Sequence, residues 1–254
     1  MAGLGRVLLV GAGPGAADLL TVRAVRALSE AEVVVHDGLV AEEVLALAPR
    51  EARRVSVAKR RARHTLPQSE INALLVREAQ AGHVVVRLKG GDPFIFGRGG
   101  EELEACRAAG VPVEVIPGVS AALGCAAEIG LPLTHRELAS AVTFVAGTCQ
   151  GLREQDWRGL AGPGRTLAIY MGVATADAIA EKLMADGVAP DMPVAIVERG
   201  TCSGAQALRT ILADLGEAVR RAAVASPAVI VVGRVAALAE ARELRAAAVP
   251  EMSA

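Results

Sequence analysis

Short apolar runs, each four to six residues long, recur along this chain at residues 6–10, 32–36, 53–57, 83–88, 113–116, 141–146, 166–171, 193–198 and 228–233. Most are continuously apolar. That is the pattern of strands covered on both faces, whereas a strand with one wet face alternates. Helix-period segments lie between many of them. "TVRAVRALSEA" offers Thr21 as an N-cap and sets Val22, Val25 and Leu28 on one face. "EELEACRAAG" opens with Glu101 and Glu102, favourable at a helix N-terminus, and stops at Gly110. "VSAALGCAAEIG" has Ser120 to cap it and Gly130 to end it. Strand alternating with helix is the α/β class.

The series has a seam at "VIPGVSA", near the middle of the 254 residues. Two α/β lobes are expected, residues 1–117 and 118–245, followed by a frayed tail over 246–254. Hydrophobic residues make up 52% of the chain and aromatic residues only 2%, so the core is aliphatic and rich in alanine. Against that background two of the three phenylalanines, Phe94 and Phe96, stand in the glycine-rich stretch "KGGDPFIFGRGGEE". Scarce aromatics placed there point to a bound ligand.

No apolar run approaches the roughly 18 residues of a membrane span. The N-terminus reaches "VGAGPG" without a substantial basic region, so it does not read as a signal peptide. A cytoplasmic protein is expected. Cys106, Cys125, Cys149 and Cys202 are scattered, without the paired spacing of a metal or redox site, and read as small semi-apolar fillers. A net charge of −1 gives no global field for nucleic acid. An anionic ligand would need local cations, and two stretches supply them: "AKRRARHT", with Lys59, Arg60, Arg61 and Arg63, and "PLTHR", with His135 and Arg136. Taken alone, the first is also an ordinary solvated face, and the histidine an ordinary structural one.

"VGAGPGAADLL" follows the first strand. Gly11, Gly13 and Ala16 satisfy the dinucleotide pattern, and Asp37 ends the next strand about twenty residues on, as that fingerprint asks. A tight turn between strand and helix needs the same glycines. At this point a nicotinamide-binding oxidoreductase, or a methyltransferase using Asp37 on a ribose, stays open. "RLKGGDPFIFGRGGEE" ends another strand, at the edge where open α/β sheets bind ligands. Asp92 precedes proline and is biased to an extended shape that would expose its carboxylate. Gly90, Gly91, Gly97, Gly99 and Gly100 make the loop costly to order, and Arg98 is suited to a two-pronged grip on a carboxylate. Met171 and Gly200 fall at the mouths of two later strands, Met171 being equally an ordinary core methionine.

Nearly the whole chain, from Gly11 to Val235, resembles the tetrapyrrole methylases. The markers are "VGAGPGAADLLT", "VVVHDGLV", "AKRRARH", "QSEINALLV", "VVRLKGGDPFIFGRGGEE", "VIPGVSAA", "GLPLTHRELASAVTFVAGT", "YMGV" and "VERGT". "KGGDPFIFGRGGEE" followed by "PLTHR" is most similar to the members that methylate uroporphyrinogen III. The resemblance implies two α/β lobes with S-adenosylmethionine in the cleft between them, usually in a homodimer, and no nicotinamide. It implies two methylations, at C2 and C7, giving precorrin-2 for siroheme, cobalamin or heme d1 synthesis. Carried over by position, the cofactor would meet Pro14, Gly90, Gly91, Asp92, Ile95, Ser120, Ala121, Met171 and Gly200. Catalytic roles fall on Asp37, Lys59 and Arg98, and substrate contacts on Arg98, Glu101 and Arg136.

Gly38, the "AKRRAR" run, Glu137 and Thr148 depart from the family pattern and bear on fine substrate contacts. Relatives fused to a dehydrogenase/chelatase carry it before the glycine turn. With the turn at Gly11, a monofunctional chain is expected. Rival readings are a member acting on a later corrin intermediate, a ribosomal RNA ribose or a diphthine precursor, the oxidoreductase above, and a binding protein that has lost the chemistry.

Overall fold

The computed structural model describes residues 3–58, 66–148 and 155–240. Lys59 and the basic run after it, Cys149 and the tail 246–254 lie outside the described residues. Two compact units divide after Ala121.

The first unit contains β1 (Arg6–Gly11), β2 (Val33–His36), β3 (Arg53–Ser56), β4 (Val84–Lys89) and β5 (Val113–Ile116) in the order β3-β2-β4-β1-β5. Every neighbouring pair is parallel. The helices are α1 (Val22–Ser29), α2 (Glu42–Leu45), α3 (Gln68–Gln80) and α4 (Gly99–Ala108). Continuous apolarity has its cause here. Leu8 and Val10 pack with Ala24, Leu28 and Val44 on one face, while Val7 and Leu9 pack with Ile71, Leu75 and Cys106 on the other. Both faces are covered, so β1 is apolar on both sides.

Thr21 caps α1 by accepting a hydrogen bond from the Ala24 amide at 3.1 Å. The apolar face expected of this helix is corrected. Ala24, Ala27 and Leu28 are buried, whereas Val22 and Val25 are 68% and 40% exposed. The alanine stripe continues to buried Ala31 at helical spacing and lets the helix lie close against the sheet.

All but the first residue of α5 (Ala121–Glu128) lies in the second unit. Its strands are β6 (Ala139–Ala146), β7 (Gly164–Tyr170), β8 (Pro193–Glu198), β9 (Gln206–Ile211) and β10 (Ala228–Val232), ordered β6-β7-β10-β8-β9, with α6 (Ala176–Ala185) and α7 (Leu215–Arg221). Only β6 and β7 pair in parallel. β10 is antiparallel to β7 and to β8, and β9 is antiparallel to β8. β6, β7 and β8 therefore share one direction. Around Leu167, Ile169, Ile196 and Ile230 the core fills with Ile179, Leu183 and Leu215 from the helices.

Candidate functional site

In the first unit the carboxyl ends of adjacent strands bring their loops together. Asp37 follows β2, residues 90–98 follow β4, Ala12 to Pro14 follow β1, and Pro117 to Ser120 follow β5. The turns after β1 and β4 are stitched backbone to backbone. Ala12 N donates to Lys89 O at 2.7 Å, Gly91 N to Gly13 O at 2.7 Å, and Gly13 N to Gly91 O at 3.2 Å. A β-carbon on Gly11 would lie 2.5 Å from Gly118 N and 2.7 Å from Gly91 O, so no side chain fits where these three loops touch. Gly91 itself takes the left-handed region, at φ +68°.

This stitching corrects two expectations. The dinucleotide fingerprint needs its glycine turn to open a helix directly, but here a 3-10 turn (Ala17–Leu19) intervenes and α1 starts only at Val22. The phosphate-binding helix end is therefore missing from the glycine turn. Nor is the Asp92 carboxylate free: it accepts Phe94 N at 2.9 Å and Gly118 N at 3.1 Å, tying the β4 loop to the β5 loop. The amides of Gly90 and Gly91 are likewise committed, to Asp37 Oδ2 at 3.3 Å and to Gly13 O.

Asp37 is half-buried, with Oδ1 accepting Leu39 N at 2.9 Å and Oδ2 accepting Gly90 N. Leu39, which also packs over Gly90, is 60% exposed, and Phe94 and Phe96 of the loop after β4 are 53% and 44% exposed. Pro14 and Ile95 are half-buried at the same edge, Ser120 is buried and Ala121 half-buried. Phe96 and Arg98 both take positive φ, at 51° and 59°. Non-glycine residues hold that conformation uncommonly. Arg98 directs both prongs at Glu101, Nε to Oε1 and Nη2 to Oε2, each at 2.7 Å. The pair is exposed. Arg98's hydrogen bonds hold the Glu101 carboxyl below the usual carboxylate range, and the same bonds raise the guanidinium above its ordinary value.

Sequence reasoning passed over what lies beneath this loop. Arg87 and Lys89 sit two apart on one face of β4, 4% and 2% exposed, and both reach the fully buried Glu102 of α4. Arg87 Nε lies 2.9 Å from Oε1 and Lys89 Nζ 2.9 Å from Oε2, with Gln68 Nε2 of α3 at 3.2 Å from Oε1. The signal was present in "VVVRLK": two charges spaced i, i+2 inside a buried strand require a counter-ion.

The second unit gathers Met171 and Gly200 at one sheet edge, after β7 and β8. Met171 is half exposed with φ +55°, and Thr148, after β6, donates its hydroxyl to Met171 O at 3.0 Å. Gly200 is buried between Arg199 and Thr201, both at positive φ. A β-carbon there would meet Cys125 Sγ at 2.5 Å. Burial pushes the Cys125 thiol up to about 12. Arg136 does not join them. It is exposed in the turn closed by the His135–Ala139 backbone pair, just before β6, at the opposite end of that strand from Thr148.

Among the described residues no group of His, Cys, Asp or Glu is placed to hold a metal ion, and no helix is long and apolar enough to cross a membrane.

The comparisons with known proteins run over most of the chain. The profile of the Tetrapyrrole (Corrin/Porphyrin) Methylases matches residues 6–216. The native crystal structure of the uroporphyrin III C-methyl transferase from Thermus thermophilus is similar at 43% identity and a TM-score of 0.80, over 92% of this chain and 94% of that one. The same enzyme complexed with S-adenyl homocysteine matches equally well. Siroheme synthase of Citrobacter koseri is 53% identical over 92% of this chain and 51% of its own length, and that of Tolumonas auensis is 51% identical over 93% and 50%. The chain thus spans about half the length of these curated relatives. With more than half of its residues matched to one profile, the chain belongs to the tetrapyrrole methylase family.

Proposed function

We propose that this chain transfers methyl groups from S-adenosylmethionine to C2 and C7 of uroporphyrinogen III, giving precorrin-2. The observation that carries the reading is the joining of the loops after β1, β4 and β5 through the backbone of Gly11, Gly91 and Gly118, with Asp37 tied to Gly90 and with Leu39, Phe94 and Phe96 left exposed on the loops after β2 and β4. It suits a ligand with a flat apolar part and a polar tail. Identity of 43% to a uroporphyrin-III C-methyl transferase complexed with S-adenyl homocysteine supports the same ligand here.

Bound S-adenosylmethionine would supply an already activated sulfonium methyl group. The chain's task is then alignment and exclusion of water, and well-oriented reactants gain on the order of 7–11 kcal/mol. The cofactor contacts are assigned to Pro14, Gly90, Gly91, Asp92, Ile95, Ser120, Ala121, Met171 and Gly200. Residues 1–117 are assigned the substrate side and 118–245 the rest of the cofactor contacts. Asp37 takes the proton that must leave the methylated ring. Two backbone amides fix its carboxylate while lone pairs remain on both oxygens.

Arg98 is no base in this scheme, because Glu101 moves the guanidinium further from deprotonation. It is assigned to substrate carboxylates, which exchange with Glu101 for its two prongs; the proposed contact of Arg136 with another arm of the substrate rests on the family pattern alone, since Arg136 stands at the other end of β6 from Met171. Lys59 keeps its proposed proton-handling role and lies outside the described residues. The proposed assembly is a cytoplasmic homodimer, to be checked by light scattering. Siroheme, cobalamin and heme d1 all draw on the same product.

The test is incubation with S-adenosylmethionine and anaerobically prepared uroporphyrinogen III, followed by mass spectrometry of the tetrapyrrole. Two added methyl groups are expected. One would mean a blocked second transfer, and none would remove this substrate from the reading.

A further inference from the structure

Charged groups line up on the α3/α4 face of the first sheet. Register pairs Val33 with Val85, Val35 with Arg87 and, last, His36 with Leu88; Asp37 and Lys89 come next along the two chains. Glu102 enters this column from α4 and takes both cations. Two cations on one carboxylate leave a positive charge in surplus, and Asp37 is a second carboxylate within electrostatic reach of Lys89. Burial, and then Arg87, lower the Lys89 ammonium from its ordinary value, against the opposing pull of Glu102 and Asp37.

The lysine stem also underlies the glycine loop. A β-carbon on Gly97 would lie 3.1 Å from Lys89 Cε and 2.9 Å from Pro93 O, so the loop is folded down onto the side chain. Buried ion clusters are often replaceable by apolar residues without loss of stability. Packing alone therefore gives no reason for a lysine under this loop.

We propose that Lys89 is a positioning residue: its ammonium, anchored on Glu102, pegs the loop Gly90–Gly97 in the shape that holds the adenosyl ligand. The inference deepens the methyl-transfer reading and rests on it for the ligand's identity. The charged and titratable groups around the peg are Asp37 from β2, Arg87 from its own strand, and Arg98, Glu101, Glu102 and the Cys106 thiol around α4. From α3 comes the neutral Gln68. Loss of the Lys89 proton leaves the Arg87–Glu102 pair in place but weakens the ion pair that anchors the lysine stem under Gly97. Loop order and ligand affinity then fall together on the alkaline side.

The test compares wild type with Lys89→Met, Lys89→Arg and Lys89→Gln. Lys89→Met leaves one cation on one carboxylate and is expected to fold, as thermal unfolding would register; if it does not, Lys89→Gln, whose amide is neutral and cannot form the ion pair, replaces it with the same expected and overturning results. Hydrogen exchange over residues 90–98 and calorimetric titration with S-adenosylhomocysteine are followed against pH. In Lys89→Met the loop should exchange faster, affinity at neutral pH should fall about tenfold, the scale of one charge-assisted hydrogen bond, and the alkaline decline should disappear. Lys89→Arg, whose cation does not titrate, should keep both loop protection and affinity. Wild-type exchange and affinity in Lys89→Met would overturn the proposal. If wild type binds no S-adenosylhomocysteine while Lys89→Met still loosens the loop, the ligand reading fails and the peg stands.

Discussion

A β-carbon on Gly11 would stand 2.6 Å from the Cα of Gly118. Two strands of the first sheet, β1 and β5, thus hand over to loops that touch through backbone alone. Gly11→Ala and Gly118→Ala must separate those loops, since the clashing atoms are main chain and have no rotamer to change. We expect each to destabilise the fold by on the order of 1–3 kcal/mol in denaturant unfolding and to weaken S-adenosylhomocysteine binding in calorimetry. Gly91→Val differs. Its β-carbon would find ordinary contacts, 3.6 Å from Ala121 N, but at φ +68° it carries a strain of roughly 1–2 kcal/mol. It should fold and bind poorly; unchanged binding would remove Gly91 from the cofactor site.

Asp92 ties two loops with one carboxylate. Asp92→Ala leaves Phe94 N and Gly118 N without their acceptor, a loss of about 1–3 kcal/mol if neither reaches water. Asp92→Asn keeps one oxygen and should fall between. Faster hydrogen exchange at Phe94 and Gly118 would report the untied loops, and unchanged exchange in Asp92→Ala would show that other contacts hold them.

Much of this fold was legible because strand burial writes itself into sequence. Val7 and Leu9 face one layer of helices, Leu8 and Val10 the other, so β1 reads as an unbroken apolar run. The same signal misleads about direction. β10 is apolar throughout because it lies between β7 and β8, although it runs antiparallel to both. β9 escaped notice because Gln206, Arg209 and Thr210 break its pattern, as befits an edge strand with a solvated side. At the site, the glycine loop announced itself through composition, but the partners of Asp92 and Arg98 did not. Gly118 is 26 residues from Asp92, and the carboxylate that meets Arg98 is its own neighbour Glu101. The Gly118 partner depends on which loops the sheet order brings together, and no local pattern encodes that, whereas the Arg98–Glu101 pair, spaced i, i+3, was open to a local reading.

Asp37→Ala separates base catalysis from scaffolding. Removing the carboxylate frees the amides of Leu39 and Gly90, so binding should weaken modestly while turnover falls by about 10²–10⁴-fold, the span of general-base contributions. Mass spectrometry of methylated product over time gives the rate. Normal turnover would end the general-base role.

Cys106 and Cys125 make stability depend on alkaline pH. Burial raises the two thiols from 9.0 to about 11 and about 12. Above pH 9 the unfolded chain releases protons that the folded chain still holds, so stability present below that pH is lost as pH rises through the native values. Cys125→Ala removes the larger of the two contributions. The stability difference between wild type and this variant, read from denaturant midpoints between about pH 8 and about pH 10.5, should therefore shift against wild type as pH rises. Lys89 is common to both proteins and drops out. At neutral pH iodoacetamide should leave both thiols unmodified in the folded protein; rapid alkylation of Cys125 would show that it is not held against Gly200.

Glu102→Gln should be the most destabilising single change in the charge cluster. It keeps the shape of the side chain and removes the one carboxylate that Arg87 and Lys89 both contact, leaving two buried cations facing a neutral amide. Breaking a buried ion pair by deleting one partner commonly costs about 3–5 kcal/mol, because the remaining charge stays desolvated. Lys89→Met at the same cluster leaves a balanced Arg87–Glu102 pair and should cost less. Denaturant unfolding of the two single variants and the double variant decides between additive and coupled effects. Removing Lys89 should lessen the penalty of Glu102→Gln, because one of the two stranded cations is gone. Strict additivity would mean that the two side chains do not share their charge in the folded protein.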